Sequence, residues 1–100
     1  MQSEIKVFKL INGEEIIAEV EKFEDGVYYL TTPFGIGVNP NTGNLVFVPY
    51  LQYTSAAQSM ELRNEHVMLS VDPIDSIYND YLDATRKIAV PRNSIIRSVT

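Results

Sequence analysis

The chain has 100 residues, of which 45% are hydrophobic and 21% are charged, a composition typical of one globular domain. Thirteen acidic residues against eight basic ones give a net charge of −5, which argues against general binding of nucleic acid or of an anionic membrane. The absence of cysteine excludes disulfides, thiolate metal sites and cysteine nucleophiles. The sequence shows no signal peptide pattern and no apolar run long enough to span a bilayer, so we expect a single cytoplasmic domain over residues 1–100.

The first thirty residues predict a three-stranded antiparallel meander. Its strands are expected over 5–11, 14–23 and 27–32. They are joined by Asn12-Gly13 and Asp25-Gly26, dipeptides that favour tight hairpin turns because both residues tolerate positive φ. In the second strand Ile16, Ala18 and Val20 share one face and the glutamates point mostly to the other, which predicts a half-buried strand with a solvated side.

The next forty residues are less regular. Residues 33–44 are rich in Gly, Pro and Asn and are expected to form a loop. Residues 45–53 are apolar on both faces, as in a strand covered on two sides, and Pro49 inside them marks a bulge or an edge whose partner arrives from elsewhere. A polar stretch, 54–64, then precedes a strand over 66–71, and either of these two predicted strands qualifies as the fourth of the sheet.

One helix is predicted, over about residues 73–87. Asp72 is a favourable N-cap and Pro73 suits the first turn, while Arg86 and Lys87 complement the dipole at the end. The apolar residues at helical spacing are Ile74, Ile77, Tyr78, Tyr81 and Leu82. The final segment, 88–99, is β-like and interrupted by Pro91.

Few residues carry a chemical signal. His66 is the one histidine and has no nucleophile motif near it, so a surface histidine is the preferred interpretation over a small hydrolase. With one imidazole and no thiolate, no metal site or cofactor is expected. The acidic cluster of residues 14–25 is interpreted as a solvated face rather than an acid–base pair.

Four of the eight basic residues fall within the last fifteen positions. They are Arg86, Lys87, Arg92 and Arg97. They could complement the helix dipole or, multiplied around an assembly axis, form a positive rim on an acidic protein. The tyrosines could stack on bases, although packing or subunit contact is the preferred interpretation.

The segment KLINGEEIIAEVEKFEDGVYYL, residues 9–30, resembles the first signature of Sm-like proteins, the Sm, LSm and Hfq superfamily. The positions that match are Leu10, Gly13, Ile16, Ala18, Val20 and the Glu24-Asp25 turn. The tail IAVPRNSIIRSV is similar to the second signature, in which hydrophobic residues surround an Arg-Gly turn. The late helix makes the chain similar to small Sm-like proteins of tailed phages that infect marine cyanobacteria, which would place it in the host cytoplasm.

The chain departs from this family at the residues that bind RNA. The family's Asp, base-stacking aromatic and base-reading Asn correspond here to Glu24, Gly26 and Tyr28, and its Arg-Gly pair becomes Pro91-Arg92. The resemblance therefore implies the fold and the ring but no standard uridine pocket.

The resemblance implies a mainly β fold, a strongly bent, antiparallel, five-stranded sheet or open barrel with one inserted helix at about 73–87. It also implies a homo-oligomeric ring of about five to seven copies. The expected function is non-enzymatic binding of single-stranded RNA, with Arg92, Arg97, Lys87 and a stacking Tyr28 as candidate site residues. The alternative is a protein–protein adaptor ring with no nucleic-acid role.

The residues themselves also favour a ring. The apolar strand 45–53 is unsuited to a free edge, because exposed apolar edges aggregate unless they are paired. Pairing it with the last strand of a neighbour would extend the sheet from subunit to subunit and could close a ring.

Overall fold

The computed structural model describes residues 4–89, in which six strands form one antiparallel sheet and one α-helix packs on it. The elements are β1 (Glu4–Leu10), β2 (Glu15–Glu24), β3 (Val27–Val38), β4 (Leu45–Pro49), β5 (Ser59–Arg63), β6 (Val67–Val71) and α1 (Asp75–Ala89). Short 3₁₀ turns, Ser55–Ala57 and Asn64–His66, precede β5 and β6. The expected mainly β architecture with one helix is confirmed, with one strand more than predicted.

The amino-terminal meander is confirmed. Strands β1, β2 and β3 pair antiparallel in sequence order, and Asp25 and Gly26 turn between β2 and β3 with φ of 55° and 76°. The full strand order is β4-β3-β2-β1-β6, while β5 pairs with the first half of β3 and β4 with its second half.

The loop predicted for residues 33–44 is wrong over its first half. Strand β3 continues to Val38, because residues 34–38 pair with β4 in a second hairpin. A turn closes this hairpin, in which Asn39 N donates to Asn44 O. The predicted polar stretch 54–64 likewise contains β5, and the apolar strand 45–53 ends at Pro49.

The sheet is strongly bent. The backbone of Asn64 donates to Gly26 O at 2.8 Å, and that of Ile11 donates to His66 O at 3.0 Å. Gly26 lies in the turn before β3 and Ile11 lies in the turn after β1, so the two residues are at opposite ends of β2. Their hydrogen-bond partners, Asn64 and His66, are nevertheless only two positions apart in the chain. Register shifts within β2, between residues 17 and 19 and between 20 and 22, supply the bend.

Apolar side chains fill both sides of the sheet. Those on the concave side are Phe8, Leu10, Ile16, Ala18, Leu30 and Leu62. On the other side Ile17 and Phe34 pack against Tyr81 of α1. The prediction that β2 has a solvated side is therefore wrong at Ile17, whose side chain is fully buried because the helix covers it.

The helix begins later than predicted. Asp72 does not cap it but forms an ion pair with Lys6 of β1 at 2.7 Å, and α1 starts at Asp75. Ile74 is 70% exposed and Tyr78 is 41% exposed, so these two residues of the apolar set at helical spacing are not buried. The helix includes residues 88 and 89, which were expected to be β-like, and the remainder of that segment lies outside the described residues. No helix within residues 4–89 has the length and apolar character needed to cross a membrane.

Tyr81 fixes the helix on the sheet. Its hydroxyl donates to Thr32 O at 2.8 Å and lies 3.3 Å from Thr31 O, and its ring meets the Phe34 ring edge-on at 5.8 Å. Thr32 has a φ of 49° and precedes Pro33, at the point where β3 changes partner from β5 to β4. Burial raises the pKa of the Tyr81 phenol, so the hydroxyl remains a donor.

Candidate functional site

Strand β4 forms one end of the sheet and exposes apolar side chains. It pairs with β3 on one side, and its other side has no strand partner among residues 4–89. Leu45, Val46 and Val48 are between 38% and 48% exposed, although they lie in a regular strand. We call this surface the β4 edge; an exposed, unpaired apolar strand of this kind is a template for association.

The backbone of β4 explains the position of Pro49. Asn39 N donates to Asn44 O and Tyr50 N donates to Pro33 O, which brackets the strand with two hydrogen-bonded pairs. Because such pairs alternate along an antiparallel ladder, Val46 and Val48 bond to β3, whereas the backbone groups of residues 45, 47 and 49 face outward. The missing N–H of Pro49 therefore falls on the free side and leaves the ladder to β3 intact.

Strand β6 forms the opposite end of the sheet and is equally apolar. It pairs with β1 on one side, and the described residues place no strand on its other side. Met68, Leu69 and Val71 are between 47% and 60% exposed. We call this surface the β6 edge. Consecutive exposed residues such as Met68 and Leu69 point to opposite faces, so both faces of this strand are uncovered.

A groove lies beside β4 on the concave side of the sheet. Gly35 and Gly37 form its floor, opposite Val48 and Val46 in the ladder, and it encloses about 260 Å³. Tyr50 closes one end, where its hydroxyl donates to Glu14 Oε1 at 2.9 Å. Burial raises the pKa of the Tyr50 phenol, and the Glu14 carboxylate raises it further. The groove extends the apolar surface of the β4 edge inward.

A second cleft, of about 440 Å³, lies where β5 joins β3 and is acidic. Glu21 and Glu61 line it together with the hydroxyls of Thr31, Ser55 and Ser59. Thr31 Oγ1 lies 3.4 Å from Glu21 Oε2. Residues 4–89 contain no group of three or more His, Cys, Asp or Glu side chains that could hold a metal ion.

The charged side chains give the described surface an acidic character. All thirteen acidic residues of the chain lie from Glu4 to Asp83. In addition, three of the basic side chains in the sheet are paired with carboxylates. These pairs are Lys6 with Asp72 (2.7 Å), Lys9 with Glu15 (3.2 Å) and Lys22 with Glu24 (3.1 Å). The hydrogen bond from Asp72 raises the pKa of Lys6, and that from Glu24 raises the pKa of Lys22. A phosphate backbone would have to displace these carboxylates to reach the lysines.

Tyr28, the predicted stacking residue, lies in β3 and faces the core. Its ring packs edge-on against Phe8 at 5.0 Å and tilted against Phe23 at 4.4 Å, and the side chain is half-buried. A shallow cavity of about 280 Å³ reaches it between Lys6, Lys22 and Ser70. The ring therefore already has two aromatic partners.

Of the three basic residues predicted for the site, only Lys87 lies within the described residues. Lys87 lies in the last turn of α1, and Arg92 and Arg97 lie outside the described residues. The structure does not bring Lys87 and Tyr28 into one site: Tyr28 packs on the concave side, and α1 covers the other side.

His66 lies on the surface, in the 3₁₀ turn before β6. Its Nε2 is 3.7 Å from a carboxylate oxygen of the neighbouring Glu65, and both side chains are more than half exposed. The contact is therefore a surface pair between chain neighbours.

Sequence analysis missed the β6 edge and the glycine groove. A strand over 66–71 was predicted, but its exposure depends on which strand ends the sheet. A signal for the groove was present, since Gly35 and Gly37 alternate with Ile36 and Val38, which is compatible with a strand that has one face of glycines. The glycines led instead to the prediction of a loop.

Comparison with known proteins identifies no relative: no protein-family model matches the chain, and no curated protein matches it.

Proposed function

We propose that this chain is a non-enzymatic, Sm-like protein that assembles head to tail into a closed ring and acts by binding another macromolecule. The observation that carries the proposal is the pair of apolar edges, β4 and β6, at opposite ends of one bent sheet. A β4 edge that pairs with the β6 edge of the next copy continues the sheet across subunits. Such a contact is heterologous, and the bend of the sheet supplies the rotation that closes a ring.

The sizes of the edges favour a closed ring over a dimer. Completing the burial of one half-exposed apolar side chain contributes about 1 kcal/mol, so the six exposed residues of the two edges together contribute roughly 6 kcal/mol. Losing the freedom of two separate molecules costs at least about 4 kcal/mol. A single contact is therefore weak, and a ring, in which every copy uses both edges, is the stable assembly.

The Sm-like part of the proposal is supported by the roles of the signature residues. Leu10, Ile16 and Ala18 are buried in the concave core, and Gly13 has a φ of 94°, which an L-residue rarely adopts. Buried side chains and a positive φ at these positions are what a bent meander requires, and this supports the resemblance to the first signature.

A protein partner is favoured over RNA by the electrostatics. Lys6, Lys9 and Lys22 are paired with carboxylates, and the described surface is acidic. The second candidate, RNA binding, is favoured by one observation: α1 places Lys87 at its end, immediately before the segment with Arg92 and Arg97. In a ring these cations would be repeated at every subunit.

The interface is tested by two edge variants, Val48→Lys and Met68→Lys. A lysine on either edge strand should block pairing, and each variant alone should shift the assembly to monomers in native mass spectrometry. Ile74→Lys is the matched control, since it also replaces an exposed apolar residue but lies on neither edge strand.

Mixing the two variants makes the test sharper. The intact β6 edge of Val48→Lys can pair with the intact β4 edge of Met68→Lys, so an equimolar mixture should give no ring and only a weak one-to-one dimer, populated at high concentration. If either variant assembled to the same extent as the parent chain, the β4–β6 contact would be refuted. If only Met68→Lys assembled to that extent, a two-fold β4–β4 contact would be indicated instead.

The two partner classes are separated in the same spectrometer. A ring that carries a short U-rich RNA, and loses it in Arg92→Ala/Arg97→Ala, would favour the RNA candidate; a ring without RNA would favour the protein adaptor.

A further inference from the structure

Helix α1 crosses the sheet and delivers the end of the chain to the β4 side. Just before the helix, Asp72 pairs with Lys6 of β1, which lies opposite Ala18 of β2. Tyr81 then reaches the backbone of β3 at Thr31 and Thr32. From Tyr81 to Ala89 the helix advances about 12 Å, which exceeds two strand spacings of about 4.8 Å. Ala84, one turn after Tyr81, and Phe47 of β4 both pack against the cluster of Ile17, Phe34 and Tyr81, so the second half of the helix lies over β3 on the side of β4.

The β4 edge offers a defined set of backbone groups at this place. Residues 45 and 47 present outward N–H groups, and residues 45, 47 and 49 present outward carbonyls, whereas Pro49 has no donor. A strand that binds here needs two acceptors and three donors at alternating positions and an apolar face for Val46 and Val48.

The eleven residues after α1, VPRNSIIRSVT, have a matching composition. They include the β-branched residues Ile95, Ile96 and Val99 and two arginines, and they contain no acidic side chain. The acidic residues all lie before this segment, and Glu14 and Glu15 line the groove beside Val46 and Val48. Charge therefore favours contact between the segment and the body of the chain.

We propose that residues 90–100 bind the outer edge of β4 in their own chain as an antiparallel strand. Strand β4 runs from Leu45 towards the junction with β5, so a segment that reached the sheet near this junction would run back along β4 in the antiparallel direction. Residues 90–93 can span up to about 13 Å, enough to descend from the helix to the sheet edge, and the six residues 94–99 are sufficient to pair along the five residues of β4.

The consequence for assembly rests on the proposed function. If the β6 edge of a second copy uses the β4 edge, the carboxy-terminal segment is its competitor within each chain. Ring formation then requires displacement of the segment, which frees Arg92 and Arg97 from the body of the protein.

The test uses the full chain with Ile95→Pro/Ile96→Pro, which removes two consecutive backbone donors from the segment. Ile95→Val/Ile96→Val is the matched control, because it keeps both donors and the β-branched side chains. Hydrogen exchange of single amides is followed by NMR at a dilution at which all forms are monomeric. We expect the protection of the Leu45 and Phe47 amides to fall by about tenfold in the proline variant and to stay unchanged in the control. The Ile17 amide, in the buried strand β2, reports that the fold is intact.

Equal exchange at Leu45 and Phe47 in all three proteins would overturn the proposal. If protection falls as expected, native mass spectrometry at higher concentration then tests whether the segment competes with the β6 edge of a second copy for β4. Assembly of the proline variant at a lower concentration than the parent supports the competition. Unchanged assembly keeps the binding of the segment to β4 and refutes the β4–β6 contact of the proposed function.

Discussion

The hydroxyl of Tyr81 should hold α1 on the sheet, and removing it with Tyr81→Phe measures its contribution. The substitution keeps the ring that packs edge-on against Phe34 and deletes the donor to Thr32 O at 2.8 Å. Because Tyr81 is only 1% exposed, little water can replace the lost donor. A buried carbonyl that loses its partner costs about 1–2 kcal/mol. For a domain of this size, 1 kcal/mol corresponds to a fall in Tm of about 4–8 °C.

The assay is urea unfolding followed by circular dichroism, with all proteins at the same concentration because association raises apparent stability. Tyr78→Phe is the control: Tyr78 lies on the same helix, is 41% exposed, and its change should stay within about 0.5 kcal/mol. If the two variants were equally stable, the assignment of Tyr81 as the residue that fixes the helix would be wrong.

Two further outcomes are expected. Burial raises the pKa of the Tyr81 phenol, so the folded chain holds this proton more tightly than the unfolded chain; the resulting stability is complete below pH about 10 and declines as the pH rises further. Unfolding between pH about 9 and 11 should therefore show a steeper loss of stability for the parent chain than for Tyr81→Phe. In the turns, Gly26→Ala should cost about 1 kcal/mol because Gly26 has a φ of 76°, whereas Gly35→Ala should be close to neutral, since its added Cβ would lie 3.7 Å from Val48 O in an ordinary contact. Equal thermal shifts for the two alanine variants would contradict this explanation.

The amino-terminal half of the fold could be predicted because its signals are local. Asp25-Gly26 favours a tight turn through its own residues, and the alternation of Ile16, Ala18 and Val20 defines one face without reference to other segments. Pro49 was also informative, since a residue with no N–H must face away from a partner strand, as it does here.

The errors arose where a distant segment determines the local structure. Asp72 is a good N-cap by composition, but it follows β6 directly, where Lys6 of the neighbouring strand β1 pairs with its carboxylate, and the helix starts at Asp75, two residues later than predicted. Gly35 and Gly37 resemble loop residues, yet pairing with β4 keeps them in a strand. Ile17 alternates with buried neighbours as a surface residue would, and the helix buries it from the other side.

The same division, between what local residues determine and what distant contacts determine, applies to the candidate site. The sequence by itself determined that apolar strands lie within residues 45–53 and 66–71, that the chain is acidic and that its last residues are basic, because propensity and charge belong to each residue. The tertiary structure decided that β4 and β6 are the two ends of one sheet, and that α1 packs across the sheet and reaches β3 through Tyr81. These relations depend on strand order and on the direction of the helix across the sheet, which are fixed by contacts between residues far apart in the chain.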